Sequence, residues 1–127
     1  MRGEGGESAI LFAEVPDFYA EVEIRAAPAL RDAAVLVGGD PGKRGKVLSL
    51  NAQARLGGAA KGMGMAEALA SCPGAHWLPT NMKRYREASG ALVNFLRGLF
   101  DAVEKASLGS AYAEIHGETG ALEAGVA

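Results

Sequence analysis

Residues 9–25 read AILFAEVPDFYAEVEIR, and this stretch decides the fold. Ala9–Val15 is a short apolar run, the pattern of a buried strand. Pro16 stops it, because proline has no N–H to give to a sheet ladder. Asp17 is expected to cap the helix that follows. From Phe18 to Arg25, helical spacing puts Phe18, Val22 and Arg25 on one face and turns Glu21 and Glu23 outward. One carboxylate, Glu14, sits on the strand just before the junction.

The pattern continues outward from this pair. Pro28–Asp32 is a turn or short helix. Ala33–Val37 (AAVLV) is a second strand, closed by the turn cluster Gly38-Gly39-Asp40-Pro41-Gly42. Lys46–Leu50 is a third strand, able to form a hairpin with the second. Ala52–Leu56 and Met65–Ser71 are short helices, and Pro73-Gly74 ends the second. Trp77-Leu78 is a short extended piece. The longest helix spans 82–100, with Tyr85, Ala88, Leu92, Phe95, Leu96, Leu99 and Phe100 as an amphipathic stripe. Ala102–Ala106 and Ala111–Ile115 form a last hairpin around Ser107–Ser110. Residues 1–8 and 117–127 are rich in Gly and Glu and are expected to be disordered.

Composition limits the function classes. The chain has 127 residues, room for one compact unit or two small lobes. Its 25 Ala and 18 Gly leave the core thin in large side chains. Thirteen basic against fifteen acidic residues give −2, which excludes a strongly basic nucleic-acid coat protein. The single cysteine, Cys72, excludes an internal disulfide and a cysteine-rich zinc site. No apolar run approaches the ~20 residues of a membrane span. The start, MRGEGGES, lacks the apolar core of a signal peptide. A cytoplasmic protein without membrane contact is expected.

Single residues leave alternatives open. Glu14 can be a metal ligand, a general base or an edge charge. Arg55 with Lys61, and Lys43-Arg44 with Lys46, can hold phosphates or form solvated faces. Tyr85, Phe95 and Leu99 read as core. Cys72 reads as a buried structural thiol, since no histidine stands beside it. His76 and His116 read as element ends with no catalytic role.

Five stretches in order resemble the N-terminal part of the Y-family translesion DNA polymerases, the DinB/UmuC/ImuB group. They are ILFAEVPDFYAEVE (10–23), PALRDAAVLVGG (28–39), VLSLNAQARLGGAAKGMGMAEALASCP (47–73), KRYREASGALVNFL (83–96) and SLGSAYAEI (107–115). The NAQAR form is closer to UmuC and ImuB than to DinB. The resemblance implies an α+β fold: a truncated, ferredoxin-like palm half (9–16 and 76–116) with a fingers insertion (17–75).

In that family, carboxylates hold two metal ions that neutralise the incoming triphosphate and activate the primer hydroxyl. Residue by residue, the first acid falls on Glu14. The second falls on Pro16, and the acidic pair of the hairpin falls on Gly109 and Ser110. The nucleotide pocket is better kept: the two aromatics fall on Phe18 and Tyr19, and the triphosphate arginine falls on Arg55. Ala52 replaces a phosphate-binding tyrosine.

The resemblance therefore implies a non-catalytic polymerase-like protein of the UmuC domain type, accessory to DNA damage tolerance, with no resident cofactor. The alternative is an active nucleotidyltransferase fragment completed by a partner chain, which would need magnesium. A homodimer or another protein partner is expected, with DNA bound weakly. The strand Ala111–Ile115 is expected to be the unprotected sheet edge that such a partner covers.

Overall fold

The computed structural model describes residues 8–116. The expectations for 1–8 and 117–127 lie outside the described residues, apart from Ser8, which opens the first strand. The chain forms two compact units. Of the described residues, 8–15 and 86–116 make up one and Pro16–Tyr85 the other.

The first unit is built on an antiparallel sheet of β1 (Ser8–Glu14), β5 (Ala102–Ser107) and β6 (Ser110–His116), in the order β1-β6-β5. β6 is therefore central. The expectation that Ala111–Ile115 forms an open edge is corrected: β1 pairs with it along its whole length, from Ser8 opposite His116 to Glu14 opposite Ser110. Among the described residues, the edges of this sheet are β1 and β5. Alternation sorts the side chains. Ala111 and Ala113 are fully buried on one face, while Ile10, Phe12 and Tyr112 are exposed on the other. Phe12 and Tyr112 lie opposite each other, with ring centroids 5.0 Å apart.

The second unit holds α1 (Phe18–Ala26) and a three-stranded sheet in the order β3-β2-β4. β2 (Val35–Gly38) and β3 (Val47–Leu50) make the expected antiparallel hairpin, and β4 (His76–Leu78) adds in parallel to β2. The hairpin closes tightly, because a Cβ at Gly45 would lie 2.1 Å from the carbonyl carbon of Gly39. α2 (Ala52–Leu56) and α3 (Met65–Ser71) cover the sheet. Leu36, Val47, Leu50, Ala54, Met65, Ala68 and Cys72 form the core there. The Cys72 thiol is buried and donates to the carbonyl of Ala54 at 3.2 Å, next to Gly57, where any Cβ would clash with its sulfur.

Asn51 ties these layers together. Its side-chain oxygen accepts from the N–H groups of Val35 and Ala54, and its amide donates to the carbonyl of Ala33 at 2.7 Å. One side chain thus caps α2 and completes the start of β2.

α4 (Met82–Leu99) carries the 18-residue amphipathic stripe, rotated from the expected setting. Tyr85, Ser89, Val93 and Leu96 are its buried positions; Phe95 is 65% exposed and Leu99 43%. The reading of Phe95 and Leu99 as core is corrected. Adjacent residues differ by about 100° around a helix, so a run of neighbouring apolar residues does not say which of them faces inward. No helix among the described residues is long and apolar enough to cross a membrane.

Candidate functional site

In the first unit, strand register brings the expected acid positions together. Glu14 ends β1 directly opposite Ser110 at the start of β6. The next N–H along, of Val15, donates to the carbonyl of Gly109 at 2.8 Å. Gly109 and Ser110 are buried, and the Ser110 hydroxyl is hydrogen-bonded to that of Ser107 at 2.5 Å. Glu14 is exposed. The strand ends are joined, and glycine and serine stand where the resemblance expects carboxylates.

The donor set does not fit a pair of magnesium ions. Mg²⁺ takes about six oxygen ligands in near-octahedral geometry and is held by carboxylates together with phosphates. Pro16 has no side-chain donor, and the Ser110 hydroxyl is already engaged with Ser107. Among the described residues, no three His, Cys, Asp or Glu side chains are grouped to hold a metal.

In the second unit the expected nucleotide residues rest on a bonded framework. Tyr19, half-buried on the first turn of α1, stacks on Tyr85, with centroids 4.3 Å apart and planes within 9° of parallel. Phe18 lies beside Tyr19 at 6.4 Å. The Tyr85 hydroxyl donates to Glu23 at 2.6 Å, and Arg84 donates to the other oxygen of Glu23 at 2.5 Å. The placement of Glu23 on the outer face of α1 is corrected: its carboxylate is buried, 6% exposed, because it has two strong donors 61 and 62 residues away. Burial, followed by the hydrogen bond to Glu23, pushes the Tyr85 phenol well above its ordinary pKa. An open cleft of about 430 Å³ lies alongside, lined by Glu23, Leu78, Pro79, Thr80, Asn81, Met82 and Arg84. The framework was missed because neither periodicity nor composition pairs residues so far apart. The signal lay in the motifs themselves, since AEVE ends on Glu23 and the KRYREAS stretch contains both Arg84 and Tyr85.

Asp17 also differs from expectation. It occupies the N-cap position of α1 but makes no capping hydrogen bond with its side chain. Its backbone is left-handed, with φ 53° and ψ 47°, and its carboxylate is ion-paired with Arg55 from α2. The hydrogen bond to Asp17 raises the Arg55 pKa above its ordinary value. Lys43, Arg44, Lys46 and Lys61 are exposed, as is His76.

Comparison with known proteins agrees with this geometry. Residues 14–125 match the impB/mucB/samB (IMS) family pattern. The chain is 35% identical over 109 residues to DNA polymerase IV of Staphylococcus aureus strain bovine RF122 / ET3-1, covering 86% of this chain and 33% of that protein. It thus spans about a third of the length of the curated relatives it matches. DinB from Sulfolobus solfataricus superposes with a TM-score of 0.75 at 29% identity, over 82% of this chain and 30% of the other. An insertion ternary complex of Dbh DNA polymerase gives 0.75 at 28% identity, over 82% and 31%. A family pattern across both units, and a palm and fingers fold shared with these polymerases, place the chain in the impB/mucB/samB family of Y-family DNA polymerase domains.

Proposed function

We propose that this Y-family domain is non-catalytic, a UmuC-type pseudoenzyme akin to ImuB that serves as an accessory or interaction module in DNA damage tolerance. The observation that carries this reading is the Glu14–Ser110 register: the family's acid positions meet on adjacent strands, and one carboxylate remains among them. We assign residues 9–16 and 76–116, which include most of β1, β4, α4 and the last hairpin, to the palm part, and 17–75 to the fingers part. Phe18, Tyr19 and Arg55 are the residual nucleotide-binding surface. Without a metal cluster to neutralise a triphosphate, affinity through them is weak, on the order of 1 mM, or ~4 kcal/mol. DNA binding is weak as well, because a chain of net charge −2 releases few counterions.

The partner surface is the outer edge of β1. SAILFAE has no lysine or proline to blunt it, and Ile10 and Phe12 are exposed beside it. A second copy meeting it about a two-fold axis, or another protein's strand, completes the sheet.

Manganese titration followed by EPR tests the central reading. The expected result is no site tighter than about 1 mM and no difference between wild type and Glu14→Gln, since a lone exposed carboxylate holds a hard cation poorly. Two Glu14-dependent manganese ions bound at micromolar concentration would overturn it and favour the alternative, an active nucleotidyltransferase fragment.

A further inference from the structure

The Asp17–Arg55 pair has features that a simple surface ion pair does not need. A carboxylate at an N-cap ordinarily accepts a hydrogen bond from the first helical turn. Asp17 does not, although it stands at the N-cap position. Its backbone sits in the left-handed region, which is unfavourable for residues other than glycine and tolerated by aspartate and asparagine. That conformation accompanies a side chain directed away from the helix N–H groups and onto the guanidinium of Arg55. The Arg55 side chain is half exposed, at 49%, so an anion in solution can reach it.

We propose that Asp17 is a built-in competitor for polyphosphate at Arg55. Its carboxylate occupies the donor that a phosphate oxygen would take, and a polyanion binds after displacing it. This rests on the reading that Arg55 contacts nucleotide phosphates. It adds that the chain carries its own brake on that contact, separate from the missing metal ligands. An anion that takes the nitrogen held by Asp17 must break one ion pair and then lie beside the released carboxylate, and both effects weaken binding.

The test is isothermal titration of pyrophosphate, without metal, into wild type, Asp17→Asn, Arg55→Gln and the double variant, at low ionic strength. Asparagine keeps the left-handed backbone and removes the charge. Asp17→Asn is expected to tighten pyrophosphate about 5-fold, equivalent to ~1 kcal/mol, and the gain is expected to vanish in the double variant. A gain that persists without Arg55 would overturn the proposal, because it would reflect net charge alone. If wild type binds through Arg55 and Asp17→Asn binds equally well, the brake is refuted while the Arg55 reading stands. If neither protein binds pyrophosphate, both are refuted. Amide NMR spectra of each variant check that the fold is retained.

Discussion

The junction of β1 and β6 and the contact between α1 and the start of α4 are held together differently. At the first, backbone pairing joins the strands: Glu14 faces Ser110, and Gly109 accepts a backbone hydrogen bond from Val15. At the second, the side chains themselves are the structure. Buried Glu23 links buried Tyr85 to the exposed Arg84, and Tyr85 supports Tyr19 by stacking. The difference separates two reasons for a polar residue to be present. An exposed strand-end side chain such as Glu14 contributes little to folding, because backbone hydrogen bonds hold the sheet there. A buried carboxylate that satisfies a buried phenol cannot be removed without leaving that hydroxyl unpaired.

The sharpest way to break that comparison is Glu23→Ala. It leaves the Tyr85 hydroxyl buried without an acceptor, and the expected loss of stability is about 3 kcal/mol by denaturant unfolding. A loss under ~0.5 kcal/mol would show that the second region is as dispensable as the first.

Tyr85→Phe is milder, at about 1–2 kcal/mol near neutral pH, and it carries a pH signature. The ordinary phenol pKa is 10.0, and the fold raises it. Above pH ~10 the unfolded chain gives up this proton while the folded chain holds it, so the Tyr85 contribution is complete below that pH and is lost as pH rises through and beyond it. The stability gap between wild type and Tyr85→Phe is therefore expected to narrow from about pH 10 upward. Parallel profiles through pH 11 would contradict the assignment.

The smallest effect belongs to the other region. Glu14→Gln changes an exposed side chain and is expected to alter stability by no more than ~0.5 kcal/mol. A larger loss would mean that Glu14 has a structural duty not visible in its surroundings. Concentration-dependent light scattering examines the outer edge of β1, which has no neighbouring strand among the described residues: mass is expected to rise toward a dimer, and a monomer throughout the micromolar to near-millimolar range would rule out self-pairing.

Much of this architecture was legible in the residues. Pro16, the glycine cluster at 38–42 and Pro73-Gly74 punctuate the chain where the elements change, and α2 and α3 occupy the helices read from the sequence. The unreadable parts were all long-range. Strand order depends on which strands meet, and so the hairpin strand read as an edge is in fact central. The rotation of α4 depends on its neighbours, so Phe95 was read as buried and is exposed. Glu23 reads as solvent-facing because acidic residues usually are, and only its distant donors make burial tolerable. At the candidate site, that positions 16, 109 and 110 carry no carboxylate is plain in the sequence. The engagement of Arg55 by Asp17 could not, because capping is the local expectation for an aspartate before a helix.

The most direct test of the claim that the β1–β6 junction has lost its chemistry is primer extension on a template–primer duplex, with magnesium or manganese and all four nucleoside triphosphates. No extension is expected from wild type with either metal. Extension by the purified chain that disappears in Glu14→Gln would contradict the account.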